Sequence, residues 1–305
     1  FIPAAPTKAS MIFDLVVSAG SLNGISWQEG SGAVWVENQV IRWIADLVGF
    51  PEEAGGCFVA GGTNGNLSSL VVAREEHRKK HKDHSKRLAI ICSDQTHSSV
   101  KSTAKVMDCD VIVVPTNDSF QLTQESIENE LKVHSEKYKE LDIFAIVATA
   151  GTTNLGVIDD ISGISKYAKS NKIWLHVDGA YGGAGLLSEK VKDLFSGIEY
   201  ADSFIVDPHK WLFAPFDCAA VIYRNKHLAS EVHSQKASYL DILHDEEAGD
   251  NPSDYAFHLT RRARGLPMWF SLSVYGIKAY RQAVESSLNI AIYAADEIKK
   301  SSYLT

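Results

Sequence analysis

Two apolar runs, each closing on a charged residue, constrain this chain more than any other feature. The first is Ile173-Trp174-Leu175-His176-Val177-Asp178, followed by the small residues of Gly179-Ala180-Tyr181-Gly182-Gly183. The second is Ser203-Phe204-Ile205-Val206, followed by Asp207-Pro208-His209-Lys210-Trp211. Short continuous apolar runs bounded by turn residues read as fully buried strands. In open α/β sheets ligands bind beyond the carboxyl ends of such strands. Asp178 and Lys210 are therefore expected to be delivered to one crevice.

The rest of the chain supplies the sheet. Apolar runs alternate with helical patterns from Cys57 to Arg224 and give about seven strands. That alternation is the mark of a mostly parallel sheet with helices on both faces. Ahead of it, Val34–Val48 carries apolar residues at three- and four-residue spacing, an amphipathic helix that stops before Pro51. Within it, helices are expected over Thr123–Tyr138, with Ile127, Leu131 and Tyr138 on one stripe, and over Asp159–Ser170, with acidic residues at its favourable end. Met268–Ile298 reads as a further helix.

Composition excludes several classes. A formal net charge of −8 offers no basis for binding nucleic acid or an anionic membrane surface. No apolar stretch is long enough to cross a bilayer and no secretory signal is visible, so a cytoplasmic location is the expectation. Cys57, Cys92, Cys109 and Cys218 stand singly with no C-x-x-C spacing, which favours buried free thiols over disulfides or a metal site.

Two further stretches carry candidate chemistry, beside the Asp178 and Lys210 pair. Gly61-Gly62-Thr63 joins an apolar strand to a helix, a junction whose free N–H groups and glycine backbone suit an anion. A carboxylate and a lysine at neighbouring strand ends suit pyridoxal 5′-phosphate, the lysine as its covalent anchor and the aspartate beside its ring nitrogen. The polar segment 233–258 is long for a loop, and long loops are often lids over a site.

Taken whole, H-V-D-G-A-Y-G at 176–182 and P-H-K-W at 208–211 resemble the group II pyridoxal-phosphate-dependent amino-acid decarboxylases, the family of the aromatic-L-amino-acid and glutamate decarboxylases. The segment beginning Arg261-Arg262, with Leu266 and Trp269, is similar to the family's R-R-x-x-x-L-x-x-W. The resemblance implies a fold-type I enzyme built as a homodimer around pyridoxal 5′-phosphate, with the active site at the interface. It implies an N-terminal segment at 1–50, a large cofactor-binding domain at 51–267 with a mobile lid at about 233–258, and a helix at 268–305 leading to a small C-terminal domain largely absent here. With no initiator methionine ahead of Phe1, the chain reads as the middle of a longer protein.

Roles follow the same resemblance. Lys210 would hold the cofactor, Asp178 its ring nitrogen, and His97 one face of its ring, with the small Ala180 on the other. Gly61, Gly62 and Thr63 would hold the phosphate, with Asp207 and His209 close by. Asp207 stands where asparagine is commoner in the family, and a carboxylate beside a phosphate is unfavourable unless a cation or proton intervenes. Thr153 would contact the ring side of the cofactor, and Tyr239, in the lid, would return a proton to the substrate. Pro6 and Thr7 would line the substrate pocket, although Ala4 and Ala5 stand where aromatic relatives carry bulky rings.

The implied reaction is decarboxylation of an L-amino acid, with an aromatic one the expected substrate from Trp211 and the Arg261-Arg262 segment. Keeping both Tyr239 and His97 favours simple decarboxylation over aldehyde formation. A decarboxylase of acidic or other amino acids, a carbon–carbon lyase or aminotransferase on the same fold, and a non-catalytic homologue stay as alternatives, because fold does not fix function.

Overall fold

In the computed structural model, which describes residues 2, 4–81, 85–235 and 251–304, the two apolar runs are adjacent strands at the centre of a seven-stranded sheet. In chain order the elements are α1 (Lys8–Ala19), α2 (Trp27–Val48), β1 (Gly55–Val59), α3 (Gly62–Lys80), β2 (Arg87–Ser93), α4 (Ser98–Val106), β3 (Asp110–Val114) and α5 (Gln124–Val133). There follow α6 (Ser135–Tyr138), β4 (Leu141–Thr149), α7 (Ile161–Asn171), β5 (Trp174–Asp178), β6 (Ser203–Val206), β7 (Ala219–Tyr223), α8 (Lys226–His233) and α9 (Leu266–Lys300).

The strand order is β1-β7-β6-β5-β4-β2-β3. All neighbours pair in parallel except at β7, which runs antiparallel to both β6 and β1. The expected mostly parallel sheet is what forms. Every residue of β5 and β6 is buried, as two covered faces require. One face packs on Val40, Ile44, Ile127, Ile164 and Met268 from α2, α5, α7 and α9. The other packs on Leu70, Val72, Val100 and Ala229 from α3, α4 and α8.

Local chemistry moves some expected boundaries. The helix expected from Val34 starts at Trp27, because Ser26 caps it by accepting from Glu29 N–H; Gly30 interrupts it, and Gly49 ends it at φ +82°. The helix expected at Thr123–Tyr138 divides at His134 into α5 and α6. The helix expected from Asp159 begins at Ile161, with Asp160 as its cap. Asp159 instead accepts from Leu122 N–H and Thr149 N–H, both at 2.7 Å, and straps the end of β4 to the segment before α5. The long C-terminal helix changes direction at Gly276, where φ is +75° and ψ 160°.

Arg261 is the bolt of the N-terminal side. Its guanidinium meets Glu37 Oε2 at 2.6 Å, with both side chains buried, and also donates to the carbonyls of Phe58 and Gly24. Glu37 Oε1 accepts from Gly265 N–H at 2.7 Å. One buried ion pair thus joins α2, β1 and the start of α9. Of the segment 233–258, His233 closes α8 with its ring bonded to the Ser68 carbonyl and Pro252–Ala256 is buried, while residues 236–250 lie outside the described residues.

Candidate active site

The C-terminal ends of β1, β2, β4, β5 and β6 open on one cleft of about 350 Å³. Each strand end supplies a side chain or a turn. β1 gives Gly61-Gly62-Thr63, β2 gives His97, β4 gives Thr149 and Thr153, β5 gives Asp178 and Ala180, and β6 gives Asp207, His209 and Lys210. The structure therefore brings together ten of the thirteen candidates, and Tyr239 lies outside the described residues.

 Counted by lining residue, the cleft holds ten of the thirteen: Gly61, Gly62, Thr63, His97, Thr153, Asp178, Ala180, Asp207, His209 and Lys210. Pro6 and Thr7 do not line it. Thr7 caps α1 by accepting from Ser10 N–H, and its own N–H donates to the Phe213 carbonyl, which ties the N-terminal segment to the loop after Lys210.

The charges are arranged around Lys210. Its Nζ lies 2.9 Å from Asp207 Oδ2, a carboxylate only 2% exposed. Burial pushes the Asp207 carboxyl up to about 6; Lys210 opposes that rise and Asp178 adds to it. Cys218 N–H donates to His209 Nδ1 at 3.0 Å, so the His209 proton sits on Nε2, 3.5 Å from Asp207 Oδ2. Burial first, and Lys210 second, hold His209 down at about 4, so the ring is neutral near pH 7. Asp178 accepts from Ala180 N–H at 3.0 Å on one oxygen and from Asn66 Nδ2 at 2.9 Å on the other. His97 Nδ1 accepts from Ser99 N–H at 3.2 Å.

Sequence reasoning missed Asn66, Ser99 and Thr149, which also line the cleft. A signal for Asn66 was present in β5. Trp174, His176 and Asp178 alternate onto one face of that strand, and a buried polar face needs a polar partner.

The residues fit pyridoxal 5′-phosphate. No side chain caps the start of α3, which leaves its first N–H groups for an anion. A side chain at Gly61 would meet nothing within 4 Å, whereas a methyl group at Gly62 would stand 3.1 Å from both Asp207 oxygens. Thr149 Oγ1 and Asp207 Oδ1 are buried at the cleft with no hydrogen-bond partner among the described residues. Lys210 and Asp178 supply the amine and the carboxylate that a pyridine aldehyde requires.

Comparison with known proteins agrees with this geometry. Residues 1–304 match the Pyridoxal-dependent decarboxylase conserved domain. An aromatic-L-amino-acid decarboxylase of Bacillus atrophaeus is 32% identical over 295 residues, 95% of this chain and 60% of that protein. An L-2,4-diaminobutyrate decarboxylase of Acinetobacter baumannii is 28% identical, across 95% of this chain and 60% of that protein. The crystal structure of Oryza sativa TDC with PLP and tryptamine shares the fold at a TM-score of 0.90 and 24% identity, covering 98% of this chain and 64% of that one. The chain thus spans about 60% of the length of these two curated relatives.

Proposed function

The chain belongs to the pyridoxal-dependent decarboxylases, and from that premise we propose that it takes part in removing the α-carboxylate of an L-amino acid, an aromatic one first among candidates. The observation that carries the reading is the delivery of Asp178 and Lys210 by the adjacent parallel strands β5 and β6 to one cleft. Pyridoxal 5′-phosphate, when bound, supplies the electron sink into which the bond to the carboxylate breaks.

The chain's own residues do the holding and the proton handling. Lys210 Nζ is the amine that would hold the cofactor. Asp207, at 2.9 Å, is placed to take or return a proton at that nitrogen. Asp178 presents a carboxylate to the ring nitrogen and favours its protonated form. His97 and Ala180 are assigned the two faces of the ring, which fixes its plane. The α3 N-terminus, through Gly61, Gly62 and Thr63, takes the phosphate. Tyr239 is assigned the proton that replaces the carboxylate at Cα.

The aromatic preference rests on the resemblance of Trp211 and the Arg261-Arg262 segment, and on the similarity to the Bacillus protein. The relatives differ in substrate, and Ala4 and Ala5 leave room where bulkier residues are expected. A homodimer is part of the same proposal. The test is carbon dioxide release from a panel of L-amino acids by protein loaded with pyridoxal 5′-phosphate. Release from aromatic substrates, abolished in Lys210→Ala, is the expected result. A bound cofactor with no release from any substrate would overturn the reading in favour of a lyase or aminotransferase.

A further inference from the structure

Behind the cleft, one run of hydrogen bonds joins Trp174 on β5 to His97 ahead of α4. The direction of every proton in it can be worked out. Trp174 Nε1–H can only donate, and it lies 2.9 Å from Ser203 Oγ. Ser203 accepts there and turns its own proton to His176 Nδ1 at 2.8 Å. Burial holds His176 down at about 4, so the ring is neutral near pH 7 and its single proton is on Nε2. That N–H donates to Asn66 Oδ1 at 2.8 Å. The amide orientation of Asn66 is thereby set, and its NH₂ donates both to Asp178 Oδ2 and to Ser99 Oγ, each at 2.9 Å. At the far end Ser99 N–H already donates to His97 Nδ1, so the Ser99 hydroxyl, 2.8 Å away, donates to that nitrogen as well. Trp174, Ser203, His176, Asn66 and Ser99 are all buried, so water does not compete for these bonds.

We propose that Asn66 is a positioning residue for the reaction, its one amide setting both the Asp178 carboxylate and, through Ser99, the His97 ring. This rests on the reading of the cleft as a pyridoxal phosphate site. The two groups assigned to the ring nitrogen and the ring face therefore do not move independently. Rotating the Asn66 amide would turn a carbonyl oxygen on Asp178 and withdraw the donor from Ser99 together.

The test uses ¹⁵N ring resonances of the cofactor-free protein, with His97→Gln to assign the His97 signals. Asn66→Asp keeps the shape and the acceptor for His176 but has no NH₂ to donate. The Ser99 hydroxyl then turns to the new carboxylate, and the His97 Nδ1 resonance moves toward the position of an acceptor with fewer bonds. Ser99→Ala should reproduce that movement, and Ser99→Thr, which keeps the hydroxyl, should not. Affinity for pyridoxal 5′-phosphate should fall by about ten- to a hundredfold in Asn66→Asp, the range for losing a hydrogen bond to a charged group, and less in Ser99→Ala. An unmoved His97 resonance in folded Asn66→Asp, or equal movement in Ser99→Ala and Ser99→Thr, would overturn the proposal. Failure of the wild-type protein to bind the cofactor would instead count against the proposed function, while the ring signals still decide the network. Should Asn66→Asp not fold, the Ser99 pair decides alone.

Discussion

Replacing Asp207 by asparagine should change how stability depends on pH, in a direction fixed by burial. The folded protein raises this carboxyl from its ordinary 3.8 to about 6. A step of that size corresponds to about 3 kcal/mol. Because the folded pKa is the higher one, the folded chain binds the proton more tightly than the unfolded chain. The stability this gives is fully present below 3.8 and is lost as pH rises through about 6. Asparagine never ionises, so the variant escapes the loss. Urea unfolding of both cofactor-free proteins, at several values from about pH 4 to about pH 7, measures the difference. Asp159 and Asp202, which burial also raises, to about 7 and about 6, are present in both proteins and largely cancel. The stability of Asp207→Asn relative to wild type should climb by about 2 kcal/mol across that range. A difference that stays flat, or that favours wild type increasingly toward pH 7, would refute the burial argument.

Two further predictions concern the scaffold. Glu37→Ala leaves the Arg261 guanidinium buried without its counter-ion and should cost about 3–5 kcal/mol, read as a lower denaturation midpoint; a loss below about 1 kcal/mol would show the pair to be dispensable. The four cysteines are all buried, with Cys57 pushed up to about 12 and Cys92 and Cys109 to about 11 by desolvation. A thiol reagent should therefore label none of them in the native protein at about pH 8 and all of them on unfolding, since the thiolate is the reactive form.

The parts of the fold that read directly from the sequence are those where one force dominates. β5 and β6 show as apolar runs because both their faces are covered, and their closing residues Asp178 and Lys210 show because no apolar strand ends so by burial alone. The glycine turn before α3 shows for a backbone reason. What did not read through is tertiary. Asn66 lies in a helix whose buried side includes Ser68 and Ser69, so an apolar stripe gives no warning that this face meets the sheet. Asp159 reads as a helix-start acid, but its two oxygens are taken by backbone N–H groups from segments distant in sequence. Ser26 and Glu29 extend α2 backwards through a cap that apolar spacing does not register. Thr7 caps α1 through a side-chain oxygen, a role that apolar spacing does not register.

The central claim is that Lys210, at the end of β6, is the amine that holds pyridoxal 5′-phosphate. Borohydride reduction of the loaded protein followed by peptide mapping tests it most directly, because reduction fixes the cofactor to whichever amine carries it. The account predicts a pyridoxyl group on the peptide containing Lys210 and its absence from Lys210→Ala. A pyridoxyl group on another lysine of the loaded wild-type protein, or on none, would contradict it.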